Sequence, residues 1–225
     1  MVARAAVTPE LEGVGNIGYA ECDNVALQAR ANGYVEKLYV RATLDPVRKG
    51  QALADIYVPD WVAAQEEFLS VRRMNVQDKS LTAGLLDGAR QRMRLAGMPE
   101  AQIRLLERSG RVHARSTVIA PVSGVVTELS VREGMTVTPG APLFRINGLS
   151  TVWLYADVAE SAAAQLKPGV PVTAHVAGLP DKTFNGRVNA VLPDVNAATR
   201  TVKARIELAN PHGELLPGMF ARVAF

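Results

Sequence analysis

The chain has 225 residues, a formal net charge of +3 and 48% hydrophobic residues, which fits one to three small globular domains with buried cores. Its charges are dispersed rather than gathered into Lys/Arg runs, which argues against a nucleic-acid-binding protein, and no run of eighteen apolar residues predicts a membrane-spanning helix. The single cysteine, Cys22, excludes an internal disulfide and leaves the cellular compartment open.

The chain begins with MVARAAVTPE, which lacks the apolar core of a secretory signal. Either the protein stays in the cytoplasm, or a signal was removed and Met1 was added. We expect residues 18–25 to form a strand that joins a sheet built mainly by the end of the sequence. Cys22 would then be a small buried residue of that strand.

Two stretches of the sequence resemble each other. Residues 33–56 read GYVEKLYVRATLDPVRKGQALADI, and residues 124–146 read GVVTELSVREGMTVTPGAPLFRI. Each predicts a strand, a polar turn and a second strand, with glycines where the backbone needs positive φ or close approach, namely Gly33, Gly50, Gly124 and Gly140. One such half would leave an apolar face exposed, so we expect two halves related by a pseudo-twofold axis to pack against each other.

The segment between the two stretches predicts three short helices of roughly 12–18 residues each. Pro59 suits a first helical turn, Gly97 and Pro99 separate the second and third helices, and the third ends near Ser109-Gly110. Apolar residues recur at helical spacing, in the sets Trp61, Ala64, Phe68 and Val71; Leu81, Leu85, Ala89, Met93 and Ala96; and Ile103 and Leu106. The polar interruptions favour a compact bundle over a long two-helix hairpin.

The last third of the sequence predicts a small β-barrel. Apolar and polar residues alternate over residues 152–158, 184–190 and 202–208, and further strands are predicted at 170–176 and 219–225. Turn residues separate these short segments at regular spacing, which is typical of a barrel or sandwich. Residues 160–166 predict one or two helical turns.

These motifs together resemble a known family. The pattern G-x-V-x-x-L-x-V followed by x-G-x-x-L resembles half of a biotinyl/lipoyl carrier domain. A carrier domain split by a helical insert is similar to the periplasmic adaptors, or membrane fusion proteins, of resistance-nodulation-division (RND) efflux pumps. The segments PDWVAAQEEFL, RLAGMPEAQIRLLERSG, LSTVWLYADVAES and DVNAATRTVKARIELANPHGELLPGM resemble the copper/silver branch of the heavy-metal adaptors.

The resemblance implies a mainly β, elongated fold with an α-helical insert. The expected domains are a discontinuous β-barrel (1–29 and 149–225), a split lipoyl-like β-sandwich (30–58 and 118–148) and a three-helix bundle (59–117). The family's membrane-proximal domain and signal are expected to be absent from this chain.

The resemblance also implies a non-enzymatic periplasmic adaptor that links an inner-membrane RND transporter to an outer-membrane channel. Its copies would self-associate, as a hexamer, around the pump. The exported cation would be copper(I) or silver(I), in transient contact with the protein, and no covalently bound cofactor or nucleic acid is expected.

Two alternatives stay open. One is an adaptor of the same superfamily for zinc, cobalt or drugs. The other is a lipoyl or biotinyl carrier, for which Asp78-Lys79 would be the modified motif. The long insert argues against a carrier, because its lysine belongs on a tight hairpin between the half-repeats. No nucleophile-elbow, phosphate-loop or dinucleotide motif indicates an enzyme.

Soft side chains are the candidate ligands for a soft cation. Met93 and Met98 lie near a predicted helix junction, and Met74 and Cys22 are the other candidates. Scattered methionines more often fill core space. The family's metal-binding methionines lie in an N-terminal lead, where only Met1 precedes Val25. The three histidines, His113, His175 and His212, show no metal-ligand spacing.

Overall fold

The computed structural model describes residues 11–74 and 79–225, with side chains of the second helix described from residue 83 onward. The chain forms two compact units, one comprising residues 1–24 and 147–225 and the other comprising residues 25–146. The finer division into three domains stays a prediction. The helices are α1 (Pro59–Arg73), α2 (Lys79–Leu95), α3 (Glu100–Ser109) and α4 (Glu160–Ala163).

The strands, in chain order, are β1 (Glu12–Tyr19), β2 (Asn24–Gln28), β3 (Gly33–Leu38), β4 (Pro46–Val47), β5 (Ala52–Tyr57), β6 (Arg115–Ile119), β7 (Gly124–Leu129), β8 (Thr136–Val137), β9 (Pro142–Gly148), β10 (Thr151–Ala159), β11 (Pro171–Val176), β12 (Thr183–Asn196), β13 (Thr201–Ala209) and β14 (Phe220–Ala224). The predicted mainly β fold with a helical insert is confirmed.

The first unit is a closed six-stranded barrel with the order β1-β10-β13-β12-β11-β14. Alternate residues of each strand fill its interior, as the sequence predicted, and Leu154, Ile206 and Leu208 are fully buried there. The N-terminal strand runs from Glu12 to Tyr19, so its placement at residues 18–25 was wrong. Cys22 lies instead in the exposed 3-10 turn Glu21–Asp23, because β1 has already ended at Tyr19.

The second unit contains a sandwich of two four-stranded sheets, with the orders β2-β9-β7-β4 and β6-β5-β3-β8. The repeat makes β2 equivalent to β6, β3 to β7, β4 to β8 and β5 to β9. Under this equivalence the two strand orders are the same, and each half-repeat contributes strands to both sheets. The sandwich therefore has internal pseudo-twofold symmetry, as the paired half-repeats predicted.

Backbone hydrogen bonds between the halves come in equivalent pairs. Leu44 N–H donates to Val126 C=O (2.7 Å) as Gly134 N–H donates to Val35 C=O (2.8 Å). In the second pair, Val126 N–H donates to Asp45 C=O (3.1 Å) as Val35 N–H donates to Met135 C=O (2.9 Å). In the third pair, Gly50 N–H donates to Ala120 C=O (2.7 Å) as Gly140 N–H donates to Ala29 C=O (2.8 Å). The last pair shows that the repeat extends upstream of Gly33 and Gly124, through β2 and β6.

The backbone conformation or a close neighbour favours glycine at several positions of the repeat. Gly50 and Gly140 both have φ of +84°, in the left-handed region that favours glycine. A Cβ atom on Gly33 would overlap the carbonyl oxygen of Tyr57 on the neighbouring strand. Gly124 lies at the start of β7, opposite Val47.

The insert forms the three predicted helices. Gly110 caps α3 with φ of +63°, and Gly97 ends the turn after α2 with φ of +79°. Trp61, Phe68, Ile103 and Leu106 are buried, as their spacing predicted. The predicted stripe on α2 is only partly correct: Ala89 and Met93 are buried, but Leu85 is exposed and Leu86 packs on the core instead. The side chain of Leu81 is outside the described residues.

Gln65 on α1 is a fully buried polar residue. It links the helical insert to the segment that leads from α3 back into the sandwich. Its Nε2 group donates to the carbonyl oxygens of Trp61 and His113, both at 2.9 Å. Its Oε1 atom accepts the backbone N–H of His113 at 2.8 Å. Since His113 precedes β6, this side chain fixes where the second half-repeat begins relative to α1.

The equivalence of Leu44 and Gly134 yields a stability prediction. Leu44 has φ of +67° and is 65% exposed, whereas Gly134 at the equivalent position has φ of +83°. Leu44→Gly should raise the free energy of unfolding by about 0.5–1 kcal/mol, since relief of left-handed strain exceeds the added chain entropy. Chemical denaturation measures this. Leu44→Ala should give no gain because the strain persists, and a destabilised Leu44→Gly protein would contradict the prediction.

The three hydrogen bonds of Gln65 yield a second prediction. Gln65→Leu should lower the free energy of unfolding by roughly 2–4 kcal/mol, because it leaves the N–H and C=O of His113 without their partner. The exposed Gln91 on α2 offers a matched control, and Gln91→Leu should change stability by less than about 0.5 kcal/mol. Equal effects of both substitutions in urea unfolding would show that Gln65 does not anchor the insert.

Candidate functional site

The structure separates the four candidate soft ligands. Met93 and Met98 belong to one apolar core, at 0% and 3% exposure, and the N–H of Met98 donates to the carbonyl of Met93 at 3.0 Å. Met74 follows the end of α1 and is 55% exposed. Cys22 is exposed in the other compact unit. Met93 and Met98 are therefore core residues, whereas Met74 and Cys22 are exposed.

The histidines do not converge. The ring Nε2 of His113 lies 3.1 Å from the hydroxyl of Ser109, His175 lies on β11, and His212 lies in the turn before β14. Over residues 11–74 and 79–225, no group of three His, Cys, Asp or Glu side chains is arranged to hold a metal ion. A hard-ligand or zinc-type centre is therefore not formed by the described part of the chain.

The carrier-type motif Asp78-Lys79 falls at the edge of the described residues. Asp78 lies outside them, and Lys79 is the first residue of α2. The junction that is a hairpin in a carrier domain is occupied here by the whole insert, because β5 and β6 pair as far as Tyr57 and Arg115.

Ion pairs connect the outer faces of the three helices. Arg92 on α2 contacts Glu67 on α1 at 2.6 Å, and Arg90 on α2 contacts Glu107 on α3 at 2.6 Å. The hydrogen bond from Arg94 lowers the pKa of the Glu100 carboxyl. Each exposed pair stabilises the bundle only slightly. The large apolar side chains Leu95 and Leu105 on these helices, and Val112 after α3, are exposed.

The outer face of the barrel carries an aromatic and cationic cluster. The guanidinium of Arg205 lies 4.2 Å from the ring centre of Trp153 and donates to Asn189 Oδ1 at 2.7 Å. Tyr155 meets Trp153 edge-on, with ring centres 6.4 Å apart. Burial raises the pKa of Tyr155, and the carboxylate of Glu21 adds to this effect. Cation–π stacking between Arg205 and Trp153 holds this cluster together.

Sequence reasoning missed two features of these surfaces. The alternation over residues 152–158 did not reveal that Trp153 is only 7% exposed, with the guanidinium of Arg205 stacked over its ring. Sequence reasoning also missed Gln65, which interrupts an apolar helical stripe as a buried polar residue. Alternation and helical spacing predict which face of a strand or helix a residue lies on. They do not predict which neighbouring side chain covers it.

Within the described part of the chain, every helix is too short or too polar to cross a membrane.

Two family models match consecutive parts of the chain. The CusB barrel-sandwich hybrid domain matches residues 24–147, and the CusB-like beta-barrel domain matches residues 151–225. The chain is 40% identical over 206 residues to the cation efflux system protein CusB of Escherichia coli K12, covering 92% of this chain and 49% of that protein. It is 38% identical to the putative membrane fusion protein SilB of Salmonella typhimurium, covering 92% and 47% respectively.

A solved structure also shares the fold. The crystal structure of ZneB from Cupriavidus metallidurans aligns over 96% of this chain and 97% of its own, with a TM-score of 0.53 and 23% identity. The chain spans about half the length of the curated relatives it matches. The first family model alone covers more than half of the chain and coincides with the split sandwich and its helical insert. The chain therefore belongs to the CusB family, in agreement with the family predicted from its half-repeats and helical insert.

Proposed function

We propose that the chain is the core of a periplasmic adaptor subunit that links an inner-membrane RND pump to an outer-membrane channel for copper(I) and silver(I) efflux. The observation that carries the proposal is the order of the two family matches, sandwich with inserted helices and then barrel, over residues 24–147 and 151–225. The names of the relatives, a cation efflux system protein and a membrane fusion protein, support the same role.

The architecture suits a scaffold that holds contacts rather than one that performs chemistry. The barrel is closed, the sandwich is locked by reciprocal hydrogen bonds, and the bundle is tied to it by Gln65. Each of these three structural features resists local deformation of the backbone. Adaptor function requires surfaces held in a fixed geometry, and the exposed bundle face and the barrel cluster supply such surfaces. We assign the chain no catalytic step.

The partners follow from this role. The barrel would face the inner-membrane transporter, and the helical bundle would contact the outer-membrane channel. Copies of the protein would self-associate, as a hexamer, through their sandwich domains. The metal ion would be cargo in transient contact with the protein rather than a resident cofactor, because Met93 and Met98 are each buried among apolar side chains.

The cargo can be tested in the organism that encodes the chain. Deleting the gene should lower tolerance to silver and copper salts and leave tolerance to zinc, cobalt and organic drugs unchanged. The minimal inhibitory concentration of each compound measures this, and the gene restored in trans is the control. A loss confined to zinc and cobalt, or to drugs, would contradict the copper/silver assignment in favour of another adaptor of the superfamily.

Silver binding by the chain itself gives a further prediction. The variant Met74→Leu/Met93→Leu/Met98→Leu should bind the same number of silver(I) ions as the unaltered chain in native mass spectrometry, because Met93 and Met98 serve as core residues. Leucine conserves their volume, so the fold should persist with a cost below about 1.5 kcal/mol per buried site. Stoichiometric silver binding that disappears in the folded variant would place metal handling in the bundle.

A further inference from the structure

The sandwich contains a cavity of about 410 Å³ that the adaptor role does not use. It lies between the two edge strands β2 and β6, which are equivalent in the repeat and end their respective sheets. The first turns of α1 and α3 close it on the side of the bundle. A volume of this size is within the range of small-molecule sites in proteins, at roughly 300–1,000 Å³.

The floor of the cavity is apolar. It is formed by side chains from both half-repeats and from α1, including Leu27, Ile56, Val58, Trp61, Val118 and Leu143. Trp61 is held in place because its indole N–H donates to the carbonyl of Ala96 at 2.9 Å. The floor is therefore preformed, and it favours an aliphatic or aromatic group over a charged one.

Two polar features lie among these side chains. The Oε1 atom of Gln102, in the first turn of α3, is buried and has no hydrogen-bond partner in the described structure. Buried side-chain amides are normally partnered, so this acceptor marks a place for a water molecule, because an ionised carboxylate has no N–H or O–H to donate to it. Arg30 is the charged residue of the lining, is exposed, and makes no ion pair with any described residue.

The position of Arg30 is fixed by the turn between α2 and α3. Gly97, with φ of +79°, packs so closely on Arg30 that a Cβ atom there would lie 2.5 Å from the Arg30 carbonyl oxygen. The backbone of Arg30 is thus held at the rim of an apolar cavity. The lining contains no carboxylate to neutralise it.

We propose that this cavity binds an anionic amphiphile, whose alkyl chain occupies the apolar floor and whose carboxylate or other anionic head pairs with Arg30. Such a ligand would contact both edge strands and the first turns of α1 and α3 at once. Its binding would therefore stabilise the attachment of the bundle to the sandwich, because a ligand that binds only the folded state raises its stability. The inference goes beyond the proposed adaptor role and does not depend on the identity of the cargo.

Decanoate, titrated below its micelle-forming concentration, is the probe for this site. Isothermal titration calorimetry on the unaltered chain should show one saturable site. The Trp153→Phe variant leaves Trp61 as the single tryptophan, so its fluorescence should change with the same affinity. Decyltrimethylammonium has an alkyl chain of the same length and a cationic head, and it should bind at least tenfold more weakly.

Two variants separate the cavity from non-specific binding. Ala101→Phe fills the cavity from an exposed position on α3 and should abolish the saturable signal without unfolding the chain, which far-UV circular dichroism checks. Arg30→Gln should weaken decanoate binding about fivefold, the size of one partly exposed ion pair, and leave decyltrimethylammonium unaffected. Absence of a saturable site, binding retained in Ala101→Phe, or equal affinity for the two head groups would overturn the proposal.

Discussion

The reciprocal hydrogen bonding between the two half-repeats is the constraint on which the second compact unit depends. The short strand of each half, β4 or β8, pairs with a strand of the other half, β7 or β3 respectively. Neither half can complete a sheet alone, so the sandwich forms only when both are present. The chain between the halves can consequently grow without loss of the fold, because its ends are held by the pairing of β5 with β6.

This arrangement explains how a helical bundle can occupy the position of a hairpin. Tyr57 and Arg115 are paired residues, so the insert leaves and re-enters the sandwich through neighbouring strands. An insert with flexible attachments would move freely about that point. Here Gln65 joins α1 to the backbone of His113, and the indole of Trp61 joins α1 to the carbonyl of Ala96. The bundle is thereby fixed at its base.

Much of this fold could be predicted from the sequence, because glycines and alternating apolar residues leave direct signals. The strands β2 and β6 were not recognised as part of the repeat, since NVALQ and RSTVI share no glycine and only a loose alternation. The sequence also gave no sign of the left-handed backbone conformation at Leu44. A leucine in the left-handed region is costly, and only the backbone of its equivalent, Gly134, shows that the turn demands that conformation.

The candidate sites were harder to predict than the fold, because a ligand set depends on which side chains meet. The sequence singled out Met93 and Met98 over Met74 because they lie near a helix junction, yet folding buries that pair and leaves Met74 exposed at a helix end. The same limit applies to Arg30, which reads as an ordinary surface cation. Its place at the cavity rim depends on a glycine 67 positions later, Gly97, whose missing side chain lets the turn after α2 approach the Arg30 backbone. The surroundings of such a residue are therefore set by packing between distant segments, about which a local motif carries little information.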